Sequence, residues 1–241
     1  MQIIRNFRPL AKGLKNKDGR IIKLNTIFRS GYISDESKPD FDKLHENHIK
    51  SIYDLRNDHE IKRDFKIDGI RIKHFAIPQT KVGKFDKDLF VKLSNGNIDD
   101  FMLTFYQDHL VTSPVIKDAL VSLVTEQESF LFHCHAGKDR TGVLGAILME
   151  ILDFDEEAII KEYLLIDPKV VLDGNQSMRE DHQFNEEVIA KLEPMHRVKE
   201  LYIRSFINEI KNRYGDFDHY FEKHFGITKT MIENFKSHFL I

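Results

Sequence analysis

The single cysteine of this chain, Cys134, stands in the run His133-Cys134-His135-Ala136-Gly137-Lys138-Asp139-Arg140-Thr141-Gly142, and the residue types around it suit the capture of a phosphate dianion. Successive amides of a tight loop converge on an anion, and the start of a following helix adds its positive dipole end. Arg140, six positions after the cysteine, offers a planar fork for two phosphate oxygens. Positive surroundings of this kind favour a thiolate at Cys134, the form of sulfur that attacks phosphorus. Gly137 lets the backbone turn and approach the ligand with no side chain in the way. His135, Ala136, Gly137 and Lys138 need only present their amides, Thr141 can give its hydroxyl to the departing sulfur, and His133 can hydrogen-bond the loop backbone and tune the nucleophile. A lone cysteine is commonly a small core residue. Glycine, arginine, serine or threonine, and glycine at these offsets coincide by chance on the order of once in 100,000.

Other loop chemistries fail on the same residues. A nucleotide-binding loop needs glycine where Phe132 stands and a hydroxyl residue where Asp139 stands. A zinc site needs more soft ligands than one cysteine flanked by His133 and His135, since a strand would point Cys134 to the side opposite the histidines. A redox dithiol needs a second cysteine. No metal and no cofactor is expected, because the loop itself carries the positive charge that metallophosphatases take from ions.

The reaction also needs a proton donor for the leaving oxygen. There is no tryptophan to build a Trp-Pro-Asp loop. Asp139, inside the loop, is the first candidate for general acid, and geometry must decide before acidity does. Asp54, at the end of a central strand, is the second, with pairing to Arg56 as its structural alternative. Asp99 and Asp100 come next, although acids in a first helical turn also complement the helix dipole.

The elements that must position these residues follow from periodicity. Strands are expected at Thr26–Arg29, Lys50–Leu55, Ile70–Ile77 and Ser129–His133. Helices are expected near Asp40–His48, Ile98–Leu110, Pro114–Gln127, Thr141–Asp153, Asp155–Ile166, Val198–Tyr214, Asp216–Phe225 and Thr228–Phe239. The result is an α/β architecture: a central, largely parallel sheet of about four to five strands with helices on both faces, a helical C-terminal third, and the active loop at a strand's carboxyl end. Asn95-Gly96-Asn97 and Asp173-Gly174-Asn175 read as turns, and Met178 to Met195 as an exposed connection. Helices around Phe85–Leu110 lie where a lid would sit.

With 241 residues, 41% of them hydrophobic, the chain fits one domain spanning 1–241. A net charge of −3 gives no argument for nucleic acid. The absence of an 18-residue apolar stretch or a secretory leader makes a cytoplasmic protein the default expectation, a trimmed leader aside. Residues 1–25 carry seven basic side chains (Arg5, Arg8, Lys12, Lys15, Lys17, Arg20, Lys23) against Asp18 alone. Such a run is ordinarily a solvated surface; its functional alternative is steering of anionic substrate or peripheral contact with acidic membrane.

The central run resembles the phosphate-binding signature of the protein-tyrosine-phosphatase superfamily, and Gly137-Lys138-Asp139-Arg140 is similar to a bacterial tyrosine-phosphatase-like or atypical lipid phosphatase group. Asn6-Phe7-Arg8, Ile27-Phe28-Arg29-Ser30-Gly31, Ile52-Tyr53-Asp54-Leu55-Arg56 with Glu60, and Tyr214-Gly215 with Tyr220 and Phe225-Gly226-Ile227 are similar to other segments of that group. Pro9 and Lys12-Gly13 depart from it, where an acidic residue and a glycine pair would be expected. Low-molecular-weight tyrosine phosphatases carry a similar spacing, but at the extreme N-terminus. The resemblance implies the cysteine-phosphatase fold and a monomeric enzyme. Its expected substrates are phosphotyrosine proteins, with phosphoserine, phosphothreonine and phosphoinositides as additional ones. It also places Lys138 at the pocket rim as a determinant of phosphoinositide activity. The non-enzyme alternative is a catalytically silent phosphopeptide- or phosphoinositide-binding module, which would usually have lost the cysteine or the arginine.

Overall fold

A computed structural model describes residues 4–61, 66–78, 87–180 and 183–241. A five-stranded sheet runs in the order β1-β2-β5-β3-β4, where β1 is Arg8–Pro9, β2 Ile27–Ser30, β3 Ser51–Asp54, β4 Arg71–His74 and β5 Phe130–His133. Only β1 is antiparallel, and β5 lies between β2 and β3, in register with both (Phe132 beside Arg29 and Tyr53). The expected strand Ile70–Ile77 is shorter in the fold, at Arg71–His74, although the Phe75 and Ile77 amides still donate to Asp54 O and Leu55 O; β1 is too short to give a periodic signal.

Alternation along the strands sends side chains to two cores. Ile27, Tyr53, Phe130 and Phe132 face the larger one, and Phe28, Ile52 and Leu131 face a smaller one with Leu44, Ile33 and Ile49. Helix α1 (Phe41–Glu46) covers the smaller face. The others among the described residues are α2 (Lys87–Ser94), α3 (Ile98–Thr104), α4 (Pro114–Val124), α5 (Asp139–Ile151), α6 (Glu156–Leu164), α7 (Lys169–Glu180), α8 (Glu186–Leu192), α9 (Glu200–Tyr214), α10 (Phe217–His219) and α11 (Lys229–Phe239). Helix α5 is buried along nearly its whole length, which is why its sequence is apolar all round rather than striped. No helix among the described residues is long and apolar enough to cross a membrane.

Two expectations are corrected here. Asp173-Gly174-Asn175 is not a turn but the middle of α7, whose Val170, Asn175 and Met178 are buried. Met178 to Met195 is not an exposed connection. It contains α8, and Phe184, Ile189 and Leu192 enter the larger core. In both stretches polar residues on the outer face mask a sparse inner stripe. Of the expected lid, α2, α3 and the π-helical turn Phe105–Leu110 are present, whereas Phe85 lies outside the described residues.

Candidate active site

Strand β5 carries Cys134 to the carboxyl edge of the sheet, where the segments after β2 and β3 flank it. The carbonyls of the loop that follows are turned outward and pinned. Cys134 O accepts from His133 Nδ1 at 3.1 Å, His135 O from the Tyr32 amide at 2.8 Å, and Lys138 O from the Gly142 amide at 2.7 Å. Gly137 O accepts from both Asn6 Nδ2 and Arg29 Nη2 at 3.0 Å. Among the described residues no backbone carbonyl accepts from the amides of His135 through Arg140, so these donors remain for a ligand. Gly137 has φ of +69°, and a Cβ there would lie 2.4 Å from Ser30 O; only glycine lets the loop lie this close to the end of β2.

Beneath the loop sits a buried ionic support. Glu162 of α6, 2% exposed, approaches Arg29 at 3.5 Å and accepts from Arg8 Nε at 3.1 Å. The segments Asn6-Phe7-Arg8 and Ile27–Gly31 therefore meet at one task, holding the Gly137 carbonyl. Glu162 has no local sequence signal, since an acid on an amphipathic helix reads as surface.

Arg140 is buried and oriented by Glu60, which accepts from Nη1 at 2.6 Å and Nη2 at 2.7 Å. Nη1 also donates to Leu55 O and Ile77 O, at 3.2 and 3.3 Å. Nε–H and the second hydrogen of Nη2 are left on one edge of the plane for an anion. Burial pulls the guanidinium down, but its bonds to Glu60 and the nearby Cys134 sulfur outweigh that and raise it. Burial likewise pushes Glu60 up, and Arg140 brings it below the usual carboxylate range.

Asp139 and Asp54 have different surroundings. Asp139 Oδ1 accepts from Tyr106 Oη at 2.6 Å and Lys138 Nζ at 2.5 Å, and the residue lines the cavity over the loop. Tyr106 is fully buried, its phenol also 2.8 Å from that of Tyr163; burial first, then the charge of Asp139, holds it well above its ordinary value, as a donor. Asp54 is clamped by Arg56 (Nη2 to Oδ2 2.6 Å, Nε to Oδ1 3.0 Å) and lies 3.7 Å from His133. Burial raises its carboxyl, but His133 and Arg56 together bring it down. It is absent from the residues lining the cavity, so the pairing with Arg56 weighed from sequence is the arrangement found. Asp99 accepts from Lys199 at 2.6 Å and from Tyr202, and neither it nor Asp100 lines the cavity.

Lys138 is 3% exposed, turned inward onto Asp139 rather than outward at a solvated rim. His133 is wholly buried and its imidazole is held below its ordinary value by burial, Asp54 opposing in part. The His135 side chain is 57% exposed, and its ring stacks on Tyr32 with centroids 5.1 Å apart. Thr141 Oγ1 is buried with no hydrogen-bond partner among the described residues.

The cavity above Cys134 has a volume of about 610 Å³. One wall is apolar, with Phe90 of α2, Phe101 and Met102 of α3, and Phe105; α7 supplies the other through Val170, Asp173, Gly174 and Met178, with Met195 and His196 closing it. Burial, then Lys138, pushes His196 down to about 4. This second wall has no signal in the sequence, where Asp173-Gly174-Asn175 reads as a turn and Met178 to Met195 as an exposed connection.

The sequence model of the tyrosine phosphatase family matches residues 1–241. A protein of Cupriavidus necator named as a tyrosine-protein phosphatase is 25% identical over 231 residues, covering 90% of this chain and 80% of the relative. The triple specificity protein phosphatase PtpB of Mycobacterium tuberculosis is 26% identical over 185 residues, covering 66% of this chain and 65% of PtpB. Among solved structures, the core catalytic domain of the PP-IP phosphatase SIW14 from S. cerevisiae aligns with a TM-score of 0.38 at 17% identity, over 86% of this chain and 95% of that one.

Proposed function

The chain belongs to the tyrosine phosphatase family, and on that premise we propose that it hydrolyses phosphotyrosine in proteins through a cysteinyl-phosphate intermediate on Cys134. The observation that carries the reading is the meeting of Cys134, the unpartnered loop amides and the free edge of Arg140 on the floor of one cavity.

The amides and Arg140 hold the three non-bridging oxygens and become better matched as charge shifts onto them in the transition state. The Cys134 sulfur attacks phosphorus as the bond to the tyrosyl oxygen breaks. Asp139 donates a proton to that oxygen; with Oδ1 occupied by Tyr106 and Lys138, Oδ2 is the atom that carries it. In the second step Asp139 takes a proton from water as the water attacks phosphorus. The sulfur leaves, stabilised by the Thr141 hydroxyl.

The wall formed by Phe90, Phe101, Met102 and Phe105 suits a phenyl ring. Phosphotyrosine is therefore the first substrate. Phosphoserine, phosphothreonine and phosphoinositides are secondary candidates; the name of the PtpB relative, a triple specificity protein phosphatase, supports breadth among protein substrates. The test is turnover of an aryl phosphate in EDTA by wild type and Cys134→Ser. Wild type is expected to turn over and the variant not to; chelator-sensitive turnover or an active serine variant refutes the mechanism. Phosphopeptide binding by wild type without turnover would replace it with the binding-module reading.

A further inference from the structure

The fold divides the seven basic residues of the N-terminal run. Lys17 donates its amide to Asp153 O and neighbouring Asn16 donates Nδ2 to Leu152 O, at the far end of α5. That helix begins at Asp139, so its length places these residues about 20 Å from the catalytic loop. Arg8 is committed to Glu162. Of the seven, Arg5 lines the cavity, beside Cys134, His135 and Arg140.

Arg5 is tied to the loop at two successive residues. Its carbonyl accepts from the Gly31 amide at 2.8 Å, and the next residue, Asn6, holds Gly137 O. Its side chain is 42% exposed and ion-paired with Asp173 of α7, which lines the same cavity. The other arginines around the loop face carboxylates that are nearly or wholly buried: Glu60, Asp54 and Glu162. Asp173 is more open, at 28%, and stands on a wall helix rather than under the loop. A carboxylate so placed can exchange with one from a ligand; a buried one cannot without leaving a bare charge.

We propose that Arg5 is a second anion-binding position beside the catalytic loop, and that Asp173 occupies it while the cavity is empty. The group that displaces Asp173 is an acidic side chain flanking the phosphotyrosine of a protein substrate. This rests on the phosphotyrosine reading above. A peptide is favoured over an inositol polyphosphate because Phe90, Phe101, Met102 and Phe105 suit the phenyl ring, while Arg5, half-exposed on the cavity lining, is open to a charge carried by the chain beside it.

The experiment compares kcat/KM for phosphotyrosine peptides that differ only in glutamate or glutamine beside the phosphotyrosine. Wild type should prefer the glutamate peptide by about fivefold at most, the effect of one half-exposed ion pair. Arg5→Gln should bring that ratio to about one, Arg5→Lys should keep part of it, and Asp173→Asn should widen it by removing the competing carboxylate. Because the readout is a ratio within each variant, a general loss of activity does not imitate the result, and turnover of p-nitrophenyl phosphate reports that each variant is folded. An unchanged ratio in Arg5→Gln, or no widening in Asp173→Asn, overturns the proposal. So does an Arg5-dependent rate on an inositol bisphosphate together with an Arg5-independent peptide ratio. Failure of wild type to hydrolyse any aryl phosphate would instead count against the catalytic reading on which it rests.

Discussion

Glu60 holds Arg140 through both carboxylate oxygens, 2.6 Å from Nη1 and 2.7 Å from Nη2, across 80 positions of chain. The arginine proposed to meet phosphate is thereby held in one orientation, and its charge is balanced where burial would otherwise expel it. Glu60→Gln keeps the shape and removes the charge. It should destabilise the protein by about 3 kcal/mol, the cost of a buried charge left without its partner. Phosphate in the cavity supplies a substitute anion, so inorganic phosphate should raise the Tm of this variant more than that of wild type. Equal shifts in thermal unfolding would show that Glu60 does not balance Arg140.

Asp139 should matter in proportion to how badly the leaving oxygen needs a proton. In Asp139→Asn, kcat/KM for phenyl phosphate should fall by about 10² to 10³, and for p-nitrophenyl phosphate distinctly less, because nitrophenolate leaves without help. Tyr106→Phe removes one of the two donors that fix Oδ1 and should show the same leaving-group pattern at smaller amplitude. A loss that ignores the leaving group would place the proton donor elsewhere.

The candidate loop could be proposed from sequence because its residues are contiguous: Cys134, Gly137, Asp139 and Arg140 each occupy a position whose chemistry depends on its near neighbours. The sheet was legible for a similar reason, since fully buried strands such as Phe130–His133 are short apolar runs. Residues acting from afar were not. Glu60 was noticed only as part of a resemblant segment, and Glu162, Tyr106 and His196 carry no local mark; each acquires its role when the fold brings it to the loop. Helix α7 failed for a different reason. Its Asp-Gly-Asn triplet has the composition of a turn, and the contact that makes glycine necessary there is with His196, remote in sequence.

Gly137→Ala should abolish useful activity through geometry alone. The new methyl would lie 2.4 Å from Ser30 O in a backbone with φ of +69°, so the loop must move. A displacement of about 1 Å costs roughly 10² in rate when oxygens must meet fixed amides. Crystallography of the variant with phosphate or vanadate would show the shift; wild-type kcat in this variant would contradict the role given to the close approach.

Helix α7 rests its backbone on an imidazole ring. A Cβ at Gly174 would lie 2.4 Å from His196 Nδ1. Gly174→Ala should therefore cost about 1–3 kcal/mol by overpacking, and adding His196→Ala should return much of that loss. The measurement is a double-mutant cycle in urea; strict additivity of the two changes would show that the contact carries no energy.

The same histidine makes stability depend on pH, in a window it shares with His133, His135 and His224, whose imidazoles burial also lowers, and with Glu150, which burial raises to about 7. Burial, with Lys138 adding to it, lowers His196 from 6.5 to about 4. The unfolded chain thus binds a proton near pH 6.5 that the folded chain refuses until near pH 4. The contribution is whole above pH 6.5, declines as pH falls toward 4, and declines no further below that. A shift of this size amounts to about 2–3 kcal/mol once partial solvent access is allowed for. The carboxylates of Asp54 and Glu60, held below their usual range, act lower: their stabilisation is lost only as pH falls below about 4.5. His196→Gln should therefore lessen the slope of the urea midpoint between pH 6.5 and 4.5 relative to wild type, the other buried imidazoles keeping part of it, and leave the steeper loss at lower pH in place. If the variant and wild type trace parallel curves through that interval, the imidazole under α7 is not held neutral by its burial.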